Sequence, residues 1–189
     1  MMRCFIAIDI DEEIRLALRD LQQDMGGGAD MRKSDVKWVH PDAMHLTLKF
    51  LGETRDQDVM DVCNTVKTVA AGHKAFDLAV REVGYFGGQS ARVLWVGAGL
   101  DCPELLQLQQ DLEDELACLG WPKESRRFSG HLTLCRVRNS KAGFELARLT
   151  EQYKDFDLGT MRCDALSVYQ SELRREGPLY TSLGNYRLL

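Results

Sequence analysis

The chain has 189 residues, of which 44% are hydrophobic and 28% are charged, and its formal net charge is −5. This composition is ordinary for a soluble globular domain, and the negative charge argues against broad, non-specific binding to a nucleic-acid backbone. No apolar run reaches the roughly 20 residues that a membrane helix needs, and Asp9 and Asp11 interrupt the apolar N-terminus. We therefore expect a cytoplasmic monomer without membrane contact.

The first half of the sequence alternates between strand and helix signals. A strand is predicted over about residues 3–10, and the acidic residues 11–13 then open a helix, as the positive end of a helix dipole favours. The apolar residues of this helix recur at helical spacing and precede a run of glycines at 26–28: Ile14, Leu18, Leu21 and Met25. Residues 45–50 alternate with period two and predict a half-buried strand. A second helix and a second strand are predicted from two sets of apolar residues: Val59, Val62, Val66 and Val69, then Phe76, Leu78 and Val80.

The second half repeats this order of elements. A strand is predicted over residues 93–96, a helix from Pro103, a strand over 131–136, a helix around Leu146, and a strand over about 156–169. The second histidine strand follows the first at a certain distance along the chain, and the second opening strand follows the first at nearly the same distance.

We interpret this order as an internal duplication within one bilobal domain over residues 1–189. The first half covers about 1–85, the second about 92–169, and a C-terminal strand covers 170–189. The predicted fold class is α+β. It has two pseudo-symmetric lobes of mainly antiparallel sheet with outer helices, and the active-site cleft lies between them.

The tetrapeptide His-Leu-Thr-Leu occurs twice in a chain that has only four histidines. Residues i and i+2 of a strand point to the same face, so His45 projects with Thr47, and His131 projects with Thr133. If the lobes pack symmetrically, two imidazoles and two hydroxyls converge on one cavity. A lone strand histidine is usually structural, but the repetition favours a functional pair.

This set of groups suits the cleavage of a phosphate ester. One imidazole can accept a proton from the attacking oxygen while the other donates a proton to the leaving oxygen. The pKa of imidazole lies near neutrality, so one histidine can work neutral and the other protonated. The hydroxyls can donate hydrogen bonds to the phosphate oxygens. His40, before a proline, and His73, at a helix end, are predicted to be structural.

Metal binding is the rival interpretation of the paired histidines. No acidic or thiol residues stand at ligand spacing around them, and the six cysteines include no Cys-x-x-Cys pair. We therefore expect reduced thiols, no metal and no cofactor.

Basic residues cluster at three places outside the histidine motifs. These are predicted to be solvated loops, because that is where most lysine and arginine side chains lie. The clusters are Arg32, Lys33 and Lys37; Arg126 and Arg127; and Arg174 and Arg175.

The sequence resembles the 2H phosphoesterase superfamily and, within it, the RNA 2′,3′-cyclic phosphodiesterases once called bacterial 2′-5′ RNA ligases. The resemblance is nearly full length, and its most specific part is the repeated His-x-Thr. The segments that carry it are residues 3–8, 38–41, 45–53, 86–87, 92–97, 131–136 and 171–173, with Gly177 and Tyr180. Gly130 departs from the family pattern, which commonly has proline before the second histidine. Glycine there predicts a looser start to the strand.

The resemblance implies a role for each site residue. His45 would be the general acid on the leaving ribose 3′ oxygen, and His131 the general base on water. Thr47, Thr133 and Arg136 would hold the phosphate, Phe50 would stack on the terminal base, and no metal would be needed. The substrates would be RNA 3′ ends or nucleotides with a cyclic phosphate, and the product a 2′-phosphate.

The spacing of Phe50 and Arg136 disagrees with a flat strand. Each lies five residues after its histidine, and an odd offset aims a side chain at the opposite face. Either the strands twist or bulge near their ends, or these residues play a lesser role. By strict alternation Lys49 would face the cleft instead, as a reserve phosphate contact.

Two other functions remain open at the level of sequence. The same residues could carry out 2′-5′ phosphodiester cleavage, or its reversal as RNA ligation, with a ribose hydroxyl in place of water. A non-catalytic module that binds RNA ends is disfavoured, because binding alone needs no second imidazole.

Overall fold

The computed structural model describes residues 1–27, 31–32, 34–174 and 177–189. The predicted helix end at Gly28 and the basic residues Lys33 and Arg175 lie outside these ranges. In the part of the chain that is described, no helix combines the length and apolar character needed to cross a membrane.

Strands and helices follow one another in the predicted order, except that a strand over Val36–Trp38 is added and two strands replace the one predicted over about residues 156–169. The strands are β1 (Met2–Asp9), β2 (Val36–Trp38), β3 (His45–Thr54), β4 (Phe76–Phe86), β5 (Val93–Ala98), β6 (His131–Val137), β7 (Asp157–Cys163), β8 (Ala165–Leu173) and β9 (Pro178–Arg187). The helices are α1 (Glu12–Gly27), α2 (Val59–Ala71), α3 (Pro103–Cys118) and α4 (Ser140–Thr150).

The strands form two antiparallel sheets, each of which contains one histidine strand. The first sheet has the order β3-β1-β8-β9, and the second has the order β2-β6-β5-β4-β7. In each sheet the histidine strand lies next to the opening strand of its own half: β3 pairs with β1, and β6 pairs with β5. The α+β class with two antiparallel sheets is therefore confirmed.

In each sheet, the strand on the other side of the opening strand comes from the other half of the sequence. Strand β4, from the first half, pairs with β5, whereas β8, from the second half, pairs with β1. The two sheets are consequently not contiguous in sequence, and the chain passes between them four times. This exchange joins the two halves of the sequence through backbone hydrogen bonds within each sheet, and the two sheets share one core.

The buried faces of α1 and α3 carry apolar residues at helical spacing. Ile14, Leu18, Leu21 and Met25 of α1 are at most 3% exposed, and the leucines of α3 at 105, 108, 112 and 116 are fully buried. These side chains pack into one hydrophobic core with the inner faces of both sheets. Burial of this apolar surface is the main source of the stability of the fold.

The single strand predicted over about residues 156–169 is wrong. Two strands occupy this region, and they belong to different sheets: β7 pairs with β4, and β8 pairs with β1. The chain passes between the sheets at Asp164, whose carboxylate accepts a hydrogen bond from Arg187. Periodicity could not reveal this change of partner, because both segments are good strand formers.

Candidate active site

A β-bulge follows the His-x-Thr sequence in strand β3. Ala7 of β1 lies opposite Thr47, but the next residue of β1, Ile6, lies opposite Lys49, so Leu48 is an extra residue. Leu48 and Lys49 are both buried, at 4% and 7% exposure, whereas Phe50 is 73% exposed. The bulge reverses the alternation, and Phe50 returns to the face that carries His45 and Thr47.

Strand β6 repeats this irregularity at the equivalent position. Trp95 of β5 lies opposite Thr133, and Leu94 lies opposite Cys135, so Leu134 is the extra residue. Leu134 and Cys135 are fully buried and Arg136 is exposed. Arg136 therefore shares a face with His131 and Thr133, which explains the odd offset seen in the sequence.

The expectation that Lys49 faces the cleft is wrong. Its ammonium lies 2.6 Å from Oε2 of Glu113 on α3 and donates to the carbonyl of Pro122 at 2.7 Å. Both side chains of this ion pair are nearly inaccessible to solvent. Because of the bulge, Lys49 takes the inward position that Cys135 takes in the other motif, and its charge needs a buried partner.

Aromatic rings enclose the imidazole of His45. Phe5 stacks on it with the ring centroids 4.6 Å apart and the planes inclined by 25°, and Tyr180 meets it edge-on at 5.1 Å. Burial in this surrounding lowers the pKa of His45 to about 4, although a backbone hydrogen bond to Ala43 and the charge of Asp9 act in the opposite direction. The aromatic surroundings therefore hold His45 neutral at neutral pH.

A polar network supports the aromatic wall behind His45. The carboxylate of Asp9 accepts hydrogen bonds from Oγ of Ser167 and from the hydroxyl of Tyr169, both at 2.7 Å. Tyr169 in turn stacks on Phe5 at 5.4 Å. Burial and the hydrogen bond to Asp9 raise the pKa of Tyr169 to about 12, so the hydroxyl remains a donor.

Sequence reasoning assigned no role to Asp9, Ser167 or Tyr169. The available signal was alternation in β1, which puts Phe5 and Asp9 on one face. Strand β8, which supplies the other two residues, lies far away in the sequence and pairs with β1 only in the folded protein.

His131 has a more polar setting than His45. Its Nδ1 lies 2.8 Å from the carbonyl oxygen of Ser129, which can only accept, so Nδ1 carries the hydrogen. Nε2 of the neutral ring is then left with a free lone pair. Phe86 meets the ring edge-on with the centroids 5.0 Å apart, and the ring of Trp95 lies 6.4 Å away. The indole of Trp95 packs against Gly84, where a Cβ would overlap it.

Gly130 holds the start of β6 closely, and the looser start expected from the sequence is wrong. The residue is buried, its carbonyl accepts a hydrogen bond from Ala98 at 3.0 Å, and a Cβ there would overlap the carbonyl oxygen of Ala98. Glycine is required by this close approach of two backbones.

The two histidine strands meet across the boundary between the sheets. Strands β3 and β6 contact each other although they belong to different sheets. Burial raises the pKa of Tyr180 in the first sheet, and the positive charge of Arg136 in the second sheet opposes that rise. Since Tyr180 also contacts His45, the first motif lies close to Arg136 of the second.

The remaining two histidines lie in structural settings. Nε2 of His73 lies 2.9 Å from Oδ2 of Asp111, which links the end of α2 to α3. The ring of His40 accepts a hydrogen bond from the backbone of Asp42 in the turn before β3. Within the described ranges, no group of three or more His, Cys, Asp or Glu side chains is arranged to hold a metal ion.

The fold and the paired His-x-Thr strands define a phosphoesterase of the 2H superfamily. The chain belongs to the family described as LigT like Phosphoesterase, which matches residues 8–95 and 101–180. The resemblance found in the sequence is thus confirmed.

Relatives and solved structures agree with this assignment. The RNA 2′,3′-cyclic phosphodiesterase of Methanothermobacter thermautotrophicus is 32% identical over an alignment of 189 positions, which covers 99% of this chain and 99% of its own. That of Thermotoga maritima is 32% identical and covers 96% of this chain and 93% of its own. TT0787 of Thermus thermophilus has a TM-score of 0.80 and 26% identity, with 99% and 98% of the two chains covered. E. coli LigT complexed with phosphate has a TM-score of 0.73 and 25% identity, with 99% and 97% covered.

Proposed function

We propose that this protein hydrolyses 2′,3′-cyclic phosphates at RNA 3′ ends, or on nucleotides, to 2′-phosphomonoesters. The observation that carries the proposal is the pair of bulged strands, each of which has a histidine, a threonine and an exposed residue on one face. Relatives of nearly the same length bear the name of this activity.

His131 is the general base of the proposed reaction. Its Nδ1–H donates to Ser129, so Nε2 can accept a proton from the attacking water. The water oxygen attacks phosphorus, the bond between phosphorus and the ribose 3′ oxygen breaks, and the 2′ ester bond remains.

His45 is the general acid and donates a proton to the leaving 3′ oxygen. Its aromatic surroundings favour the neutral form, so the substrate must raise the pKa of His45 when it binds. A phosphate anion beside the ring favours the charged imidazolium, because opposite charges attract more strongly where water is excluded. Substrate binding should therefore be accompanied by proton uptake.

Three further side chains are assigned to the phosphate. Thr47 and Thr133 share their faces with the histidines and can donate hydroxyl hydrogen bonds to the non-bridging oxygens. Arg136 returns to the same face after the bulge, and its guanidinium can neutralise charge that builds up in the transition state. E. coli LigT forms a complex with phosphate, which supports an anion site in this fold.

Phe50 is the proposed platform for the terminal base. Its ring is 73% exposed, which is unusual for phenylalanine, and lies 6.2 Å from Phe5, the ring that stacks on His45. Stacking on an exposed aromatic ring is tolerant of base identity. We therefore expect a weak preference among bases.

The test is the product formed from a 2′,3′-cyclic mononucleotide in the presence of a chelator. Chromatography against authentic 2′- and 3′-nucleotides should show the 2′-phosphate. A predominantly 3′-phosphate product would mean that the ribose binds the other way round, and the acid and base would exchange roles. Loss of turnover in the chelator, restored by a divalent ion, would overturn the mechanism.

A further inference from the structure

Lys37 lies directly opposite Arg136 in the register between strands β2 and β6. Directly opposed residues of an antiparallel pair project from the same face of the sheet. Lys37 therefore shares the cleft face with Arg136. The next residue of β2, Trp38, lies opposite the buried Cys135 and turns to the other side, where its ring lies beside Gly26 of α1.

In the described part of the chain, neither of the two facing cations forms an ion pair with a carboxylate. Lys37 and Arg136 are both exposed, and neither takes part in any of the described ion pairs. Like charges directly opposite each other on a sheet are destabilising. Two facing cations at this position favour the binding of an anion and do not stabilise the sheet.

The corresponding face of the other lobe differs in charge. There Arg3 is neutralised by Glu53, with its Nε 3.0 Å from the carboxylate, and the position that matches Arg136 is Phe50. Aromatic rings line the rest of that face. The pseudo-symmetry of the fold is thus broken into an aromatic lobe, suited to a base, and a cationic lobe, suited to phosphate.

We propose that Lys37, which lies beside Arg136, binds the phosphodiester that joins the terminal nucleotide to the one before it. The inference rests on the proposed function, because it assumes that the cyclic phosphate lies between His45 and His131. With the terminal base on the aromatic lobe, the chain leaves the cleft over the cationic edge formed by β2. The protein then prefers an oligonucleotide end to a free cyclic nucleotide.

The experiment compares two substrates that differ by one phosphodiester. These are a 2′,3′-cyclic mononucleotide and a dinucleotide that ends in a 2′,3′-cyclic phosphate. Lys37→Ala should lower kcat/KM for the dinucleotide by about fivefold or more, and reduce the slope of log(kcat/KM) against log[salt] by about one. Its effect on the mononucleotide should stay within about twofold. Lys67→Ala, on the outer helix α2, is the matched control and should change neither substrate.

A charge reversal separates binding from structure. Lys37→Glu places opposite charges across the strands, so the melting temperature should not fall, yet binding of the dinucleotide should weaken more than in Lys37→Ala. An equal loss on both substrates, or no loss on the dinucleotide, would overturn the inference.

Failure of the proposed function would give a different result, namely no turnover of either substrate by the unmodified protein. The role of Lys37 would then be decided by binding alone. Titration with a dinucleotide ending in a 2′-phosphate, and with the 2′-mononucleotide, should show a loss in Lys37→Ala for the dinucleotide only. Equal affinities of the variant and the unmodified protein for the dinucleotide would reject the site.

Discussion

The ring of Phe5 stacks on the imidazole of His45 with the centroids 4.6 Å apart, and this contact sets the electrostatics of the aromatic lobe. Phe5 is almost fully buried, and its ring also stacks on that of Tyr169 with the centroids 5.4 Å apart. An imidazolium in this position loses hydration without gaining an ion pair. The neutral form is therefore favoured until an anionic substrate binds.

Shortening Phe5 should raise the pKa of His45. Burial lowers that pKa to about 4, and kcat/KM reports ionisations of the free enzyme, so the acid limb of its pH profile should lie near pH 4. In Phe5→Ala, water reaches the ring and the limb should move toward the ordinary histidine pKa of about 6.5. The measurement is kcat/KM against pH, together with an NMR titration of the His45 ring.

Phe86→Ala is the control for this experiment, because Phe86 contacts His131 instead of His45. It should leave the limb near pH 4 in place. An acid limb near pH 6.5 in the kcat/KM profile of the unmodified protein would contradict the inferred environment of His45.

Removal of either imidazole should abolish most of the activity. His45→Ala and His131→Ala should each lower kcat by about 10² or more, the usual contribution of one general acid or base. His73→Gln serves as the control, because His73 contacts Asp111 rather than the cleft and should retain normal turnover. Near-normal kcat in either of the first two variants would refute the assigned pair.

Arg136 and Phe50 occupy equivalent positions after the two bulges but should affect different kinetic constants. Arg136→Ala should lower kcat by about 10²-fold, because the guanidinium is assigned to charge in the transition state. Phe50→Ala should mainly raise KM, by about fivefold or more, as expected from the loss of one base-stacking contact. Steady-state kinetics on a cyclic mononucleotide measure both, and a pure KM effect in Arg136→Ala would contradict its role.

The ion pair between Lys49 and Glu113 should matter for stability rather than for catalysis. Lys49→Met leaves the carboxylate of Glu113 buried without its cation and should lower the free energy of unfolding by roughly 3–5 kcal/mol. The double variant Lys49→Met/Glu113→Leu removes both charges and should recover most of this loss. Denaturant unfolding tests both variants. If Lys49→Met unfolds normally but loses substrate affinity, Lys49 belongs to the cleft after all.

Much of the fold and the core of the candidate site could be predicted because the signals are local. Period-two alternation places a histidine and a threonine on one face of each motif strand, whatever that strand pairs with. The repeated order of strand and helix, and the apolar stripes of α1 and α3, likewise follow from residues that are close together in the sequence. The α+β class and the presence of two equivalent motifs therefore needed no tertiary information.

Alternation within a single strand could not predict the two bulges. Leu48 and Leu134 are extra residues only relative to β1 and β5, so no property of the motif strand by itself identifies them. The sequence left a bulge and a flat strand as alternatives, and pairing between distant strands decided between them. That decision sends Lys49 inward and brings Phe50 and Arg136 to the cleft.

Tertiary structure also decided which distant residues surround the histidines. Tyr169 reaches His45 because β8 pairs with β1, and Lys37 reaches Arg136 because β2 pairs with β6. Both contacts depend on hydrogen bonds between strands that are far apart in the sequence, and several partners are compatible with the same alternating pattern. The sequence by itself determined the chemical groups of the site, whereas long-range strand pairing determined their neighbours, their charge and their exposure to solvent.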